Sequence, residues 1–247
     1  MDRATIFSVV HDIPHMQLSE GEILSAFIRE HTLRNILELG FRHGVSTCYM
    51  AGALDDLGGG RITTIDLLDA KAANPNIESL LKKLDLEQFV SVYYEPTSYT
   101  WRLMKFLEET PPPQFDLCFI DGAHDWFVDG FAFYLVDKLL LPGGWMIFDD
   151  LDWTFSSSPS LKKSDFVRSM PVEEKTTPQI RKVYELLVKT HPSYDTFFEK
   201  DGWAYAQKKK NADGFQTGIK REIVYTEKTV GLGSALLKIL RRLRRFF

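Results

Sequence analysis

Residues 35–47, Asn-Ile-Leu-Glu-Leu-Gly-Phe-Arg-His-Gly-Val-Ser-Thr, read as an apolar strand that passes through a glycine turn into a helix. That order commits the chain to a layered α/β architecture, because a helix that follows a strand so closely must pack back over the sheet. Gly40 lets the turn close. Gly44 lets backbone amides at the next helix N-terminus approach a carboxylate or phosphate. The strand ends in Glu38-x-Gly40, which puts a carboxylate at the sheet edge. A second apolar run, Ile62 to Asp66, also ends in an acidic residue, about twenty positions on, where doubly wound folds place an acceptor for ribose hydroxyls. Together the two runs point to a nucleoside-like ligand.

The same alternation continues along the chain. Ile23, Phe27 and Ile28 form one face of a helix introduced by Ser19-x-x-Glu22, which reads as a capping box. Val45 to Leu54 is helical and stops at Gly58-Gly59-Gly60. Ile77, Leu80, Leu81 and Leu84 have helical spacing, Val90 to Tyr94 is strand-like, and Trp101 to Leu107 is a helix that ends before Pro111-Pro112-Pro113. Phe115 to Ile120 is a continuously apolar strand. A helix follows with Phe127, Phe131, Leu135 and Leu139 on one stripe, then the turn Pro142-Gly143-Gly144 and a fifth strand, Trp145 to Phe148. Five βα units predict a parallel sheet with helices on both faces. Residues 151–179 lapse into serines, prolines and mixed charges, too long for an idle connection, and read as a lid or substrate loop. A helix over 180–189 comes next, and the runs 194–198 and 203–207 around Asp201-Gly202 predict an antiparallel hairpin.

Length and composition fit one core domain with extensions: 1–32 helical, 33–210 the main domain, and 211–247 a C-terminal extension. The chain has 247 residues, and its 30 Lys+Arg against 34 Asp+Glu argue against a dedicated nucleic-acid binder. Cys48 and Cys118 fall in an apolar helix and an apolar strand and read as reduced core thiols. The N-terminus lacks a signal-like apolar core, and no stretch reaches the ~18 apolar residues of a membrane span, so a cytoplasmic location is expected.

The segment from Leu33 to Gln207 resembles the class I S-adenosylmethionine-dependent methyltransferases, in particular the small O-methyltransferase branch that includes catechol and bacterial sugar and macrolide O-methyltransferases. The resemblance implies a Rossmann-like, doubly wound, seven-stranded sheet, mostly parallel with a C-terminal antiparallel hairpin. It implies that Glu38, Gly40, Phe41, Gly44 and Ser46 surround the methionine end of S-adenosylmethionine, that Asp66 holds the ribose, and that Thr97 and Ser98 lie by the adenine. Arg42 stands where many members have glycine. A dinucleotide would need Gly-x-Gly-x-x-Gly for its two phosphates, and Phe41-Arg42-His43 does not supply it.

Asp121 ends the fourth strand and Asp149-Asp150 end the fifth, so three carboxylates are expected at the edge where such folds bind ligands. Like charges need a counter-ion, and a hard divalent cation such as Mg²⁺ suits oxygen ligands. In the metal-dependent members the corresponding acids bind the metal. The resemblance also places the general base at His124, with Asp125 as the alternative, and Asp121 beside both the cofactor and the metal. A structural role for His124, at the start of a helix, is the competing reading. Trp153 and Phe155 suit an aromatic wall for the acceptor or core packing. His11, His15, His31 and His191 have no metal-ligand spacing and read as structural or solvated, while His43 shapes the glycine loop.

The last residues, 234–247, form a basic amphipathic pattern with Leu236, Ile239, Leu240 and Leu243 opposite Lys238, Arg241, Arg242 and Arg245. Contact with the domain, with a second subunit in a homo-oligomer, or with a membrane surface all suit it. The sequence thus predicts Mg²⁺-assisted methyl transfer to a hydroxyl of a small acceptor, a sugar or secondary metabolite. The alternative is a non-methylating, hydroxylase-like relative or a cofactor-binding scaffold recruited through the basic tail.

Overall fold

The computed structural model describes residues 3–211. The basic segment 234–247, and nearly all of the extension assigned to 211–247, lie outside the described residues. Helices α1 (Arg3–Val10) and α2 (Leu18–His31) precede the sheet. Strands β1 (Asn35–Leu39), β2 (Arg61–Leu67), β3 (Val90–Glu95), β4 (Phe115–Ile120) and β5 (Leu140–Phe148) alternate with helices α3 (Val45–Asp56), α4 (Ile77–Leu84), α5 (Tyr99–Glu108) and α6 (Trp126–Leu139). Short helices α7 (Asp165–Ser169), α8 (Val172–Thr176) and α9 (Gln179–Val183) lead to β6 (Tyr194–Lys200) and β7 (Trp203–Lys208).

The seven strands lie in the order β3-β2-β1-β4-β5-β7-β6, the first five parallel and β7 antiparallel to both β5 and β6. This is the mostly parallel, doubly wound sheet with an antiparallel hairpin that the βα alternation predicts. Successive strand residues turn to opposite faces. Ile36, Ile62, Phe119 and Ile147 pack under α1 to α4, whereas Leu37, Leu39, Ile65, Cys118 and Phe148 pack under α5, α6 and α9. Both cysteines are free and buried, as their apolar surroundings suggested. Among the described residues no helix is long and apolar enough to cross a membrane.

Several local readings need correction. The capping box of α2 is made two residues earlier: the Gln17 amide donates to Glu20 Oε2 at 2.6 Å, and the helix starts at Leu18. The apolar stripe chosen for α6 is only half right. Leu135 and Leu139 are buried, but Phe127 and Phe131 stand 73% and 57% exposed, and the helix seats itself through Ala132, Phe133 and Val136 instead. Pro142-Gly143-Gly144 is no separate turn but a bulge within β5: Phe115 pairs with Leu140 and Leu117 next pairs with Trp145.

Candidate active site

The carboxyl ends of β2, β1, β4 and β5 are locked in step by backbone hydrogen bonds that continue past the strands. Gly40 N donates to Ile65 O, Asp121 N to Leu39 O and Asp149 N to Ile120 O, all at 2.9–3.0 Å. These rungs put Asp121 and Asp149 side by side at the point where β1 and β4 turn away to opposite faces. There the loops separate and leave a crevice. Gly40, at φ +87°, allows the close approach, since a Cβ there would lie 2.0 Å from the carbonyl oxygen of Asp121.

A cavity of about 560 Å³ opens between the β1, β2 and β4 loops. Gly40, Phe41, Ser46, Asp66, Thr97, Ser98 and Asp121 line it, together with Tyr99, Gly122 and Ala123. Seven of the nine positions that the resemblance assigned to the cofactor therefore share one cavity. Asp66 Oδ2 accepts hydrogen bonds from the amides of Phe41 and Arg42, at 2.9 and 2.6 Å. Ser98 caps α5, its hydroxyl accepting from the Thr100 amide at 3.1 Å.

Glu38 and Gly44 do not line this space. The Glu38 carboxylate is fully buried and accepts from the hydroxyls of Ser46, Thr47 and Thr64 at 2.5–2.6 Å. Burial still pushes its carboxyl up to about 7. It bolts the start of α3 to the sheet from beneath. Gly44, at φ +90°, begins α3, and a Cβ there would meet the side chain of Ile77 at 2.5 Å.

A second cavity of about 500 Å³ adjoins the first, and Pro14, His15, Met16, Asp121 and His124 border both. Asp149 and Asp150 complete its acidic end. Burial raises the Asp121 carboxyl well above the usual carboxylate range, and the neighbouring Asp149 and Asp150 raise it further. Burial and then Asp150 push Asp149 up to about 7. His124 Nε2 stands 3.8 Å from Asp121 Oδ1 and 3.7 Å from Asp150 Oδ2. Desolvation lowers its pKa despite the pull of Asp150 and Asp125, so the neutral ring is favoured. Asp125 is otherwise engaged as the cap of α6, Oδ1 accepting from the Val128 amide at 2.6 Å. Trp153 lies against His124 with ring centroids 5.0 Å apart, while Phe155 is buried behind it.

The three carboxylates are hard oxygen donors that share their charge with no lysine or arginine among the described residues lining the second cavity. That chemistry suits a divalent cation. As the side chains stand, however, no group of three His, Cys, Asp or Glu among the described residues is arranged to hold a metal ion.

His15 was read as structural or solvated and proves to sit between the two cavities. Its ring stacks on His43, centroids 5.9 Å apart, and His43 Nδ1 is anchored 2.7 Å from Pro75 O. No spacing in the sequence signals this, because α1 and α2 bring residues 11–17 over the sheet edge from outside the βα repeats. Backbone strain marks the same place. His15, Arg42, His124 and Asp150 are non-glycine residues at φ of +46° to +85°, and all four line the cavities. Such conformations persist where the surroundings over-determine them, often at functional sites. The irregular stretch 151–179 contributes Ser160 and Leu161 to the first cavity and nothing to the second.

Comparison with known proteins agrees with this geometry. Residues 37–151 match the model of a methyltransferase domain family. No curated protein matches significantly. Among solved structures, an O-methyltransferase from Bacillus cereus in complex with SAH is 24% identical, with a TM-score of 0.62 over 85% of this chain and 92% of that one. TomG, an O-methyltransferase from Streptomyces achromogenes involved in tomaymycin synthesis and solved with SAM, is 20% identical, with a TM-score of 0.59 over 84% and 87%. The SAH-bound methyltransferase PaMTH1 from Podospora anserina is 21% identical, with a TM-score of 0.59 over 85% and 88%. These likenesses establish a shared fold along nearly the full length of the described chain.

Proposed function

We propose that the chain, whose residues 37–151 match a methyltransferase domain model, is a class I, S-adenosylmethionine-dependent enzyme that transfers the methyl group to a hydroxyl of a small acceptor. The observation that carries the proposal is the shared border of the two cavities. A nucleoside-sized space on the β1–β2–β4 loops opens at Asp121 and His124 onto a second space of similar volume. Two-substrate transfer needs that arrangement, with donor and acceptor meeting at one wall that carries the acid–base groups. The solved relatives named as O-methyltransferases support oxygen as the acceptor atom.

The first cavity fits S-adenosylmethionine: Gly40 leaves room for close backbone approach, Asp66 offers a carboxylate to the ribose hydroxyls, and Thr97 and Ser98 line the far end. When bound, the sulfonium supplies an electrophilic methyl group for in-line displacement by the acceptor oxygen. His124 faces the junction as a neutral imidazole and takes the proton from the acceptor hydroxyl, and Trp153 holds its ring against the loop. Asp121, Asp149 and Asp150, all oxygen donors, would hold a hard divalent cation such as Mg²⁺. Such an ion supplies positive charge that favours the ionised hydroxyl.

Titration of the purified protein with S-adenosylhomocysteine by calorimetry, with and without Mg²⁺, tests the reading directly. Micromolar binding supports it, and no heat of binding at millimolar ligand defeats it. A cofactor-binding scaffold without turnover has no separate observation in its favour.

A further inference from the structure

We propose that Asp129, which lines neither cavity, is a positioning residue for the donor cavity: acting through Tyr99, it fixes the loop 121–125 against the start of α5, and cofactor affinity depends on it. The proposal rests on the assignment of the first cavity to S-adenosylmethionine.

Tyr99 is the first residue of α5 and Asp129 lies in the first turn of α6; both are buried. The Tyr99 hydroxyl donates to Asp129 Oδ1 and accepts from the Ala123 amide at 3.3 Å, while Asp129 Oδ2 accepts from the Asp125 amide at 3.1 Å. A phenol and a carboxylate from two helices thus take up two amides of the loop that carries Asp121 and His124. Gly122 lies against the same phenol, and a Cβ there would come within 2.5 Å of the Tyr99 ring.

Folding alone asks for no acid at this place. An aliphatic side chain would fill the buried face of α6, whereas a carboxylate taken out of water costs free energy unless the bonds it loses are replaced. At Asp129 the replacements are Tyr99 and the loop. What the acid stabilises is therefore one geometry of the loop, in which His124 is held at φ +55°. Such a conformation persists where its surroundings over-determine it. Tyr99 carries the constraint across the cavity. It follows directly on Thr97 and Ser98, so these residues on one wall and Gly122 and Ala123 on another are spaced by one phenol ring.

The test uses the full-length protein with S-adenosylhomocysteine as the probe, its affinity measured by calorimetry well below the melting point of each variant. Asp129→Ala and Tyr99→Phe should each weaken binding by about tenfold or more. The double variant should be little weaker than the worse single one, because both act through one chain of bonds. By NMR, the Ala123 and Asp125 amides should exchange about tenfold faster in Asp129→Ala while the amides within β4 keep their rates. Tyr194→Phe is the control: it removes a hydroxyl that donates to Asp137 Oδ1 at 3.0 Å near the other end of α6, and should lower the melting temperature with no change in affinity. Where Asp129→Ala does not fold, Asp129→Asn replaces it, offering one acceptor oxygen for two, and should still lose affinity severalfold. Wild-type affinity in the folded Asp129 variant, losses that simply add in the double variant, or an equal loss in Tyr194→Phe would overturn the proposal. A wild-type protein that does not bind S-adenosylhomocysteine fails the cofactor assignment instead, whereas normal wild-type binding with an unmoved Asp129 variant fails only this inference.

Discussion

Asp66 Oδ2 lies 2.6 Å from the backbone amide of Arg42, so the acid at the end of β2 and the glycine loop after β1 are tied together. A ribose bound at Asp66 would share a carboxylate that already holds the loop. Asp66→Ala should therefore weaken S-adenosylhomocysteine binding by about 10- to 100-fold, the scale of lost hydrogen bonds to a charged group. Calorimetry checks it, and wild-type affinity in the variant would remove the ribose assignment.

Gly44→Val should act on folding before it acts on binding. The position needs φ near +90°, and a Cβ meets Ile77. Strain and overpacking together predict a loss of about 2–4 kcal/mol. A thermal melt shifted by less than the error of the measurement would show that the loop relaxes freely.

The acidic edge separates metal from cofactor. Asp149→Asn combined with Asp150→Ala should abolish any Mg²⁺-dependent turnover while changing S-adenosylhomocysteine affinity by no more than a few fold, because neither residue lines the first cavity. Full wild-type activity in excess chelator would count against the metal.

His124→Gln should keep the fold and cofactor binding but lower kcat by roughly 10² to 10⁴, the usual contribution of positioned proton transfer. The acidic limb of the pH–rate profile should vanish with it. A variant that melts early yet turns over normally per folded molecule would make His124 a structural cap instead.

Stability should depend on pH through the buried acids. Glu38, Asp129 and Asp149 are each pushed up to about 7, chiefly by burial. The folded chain thus holds these protons more tightly than the unfolded chain, whose carboxyls titrate near ~4. Their contribution is greatest below pH ~4 and is lost as pH rises toward 7. In chelator-treated protein, Glu38→Gln should flatten the fall in melting temperature across that window. A slope identical to wild type would show that Glu38 is ionised throughout.

The sheet was legible because its signals are local: β1, β2, β4 and β5 are apolar runs closed by glycine or acid, and their burial follows directly. The outward turn of Phe127 and Phe131 was not legible, since both α6 stripes are apolar and only the packing of Phe133 and Val136 decides between them. Most cofactor positions were readable because they lie where strands end. Glu38 stands one residue before that edge, on the opposite side of the strand from Leu39, and so drops beneath the loop into the hydroxyls of Ser46, Thr47 and Thr64. His15 carried no signal at all, because its neighbourhood is made by helices distant in sequence from β4 and β5.

The position of β7 bears on how the protein is made. It pairs with β5 from Trp145↔Gln207 to Phe148↔Ala204, its Trp203 indole neighbours Asp149, and the Gly202 carbonyl accepts from the Leu151 amide. A nascent chain that has emerged only through β6 has every parallel strand it needs, but β5 is an open edge and the acid that follows it has lost its indole neighbour. Until the ribosome has released residues up to Lys208, the catalytic end of the sheet stays unfinished and its apolar edge is open to other chains.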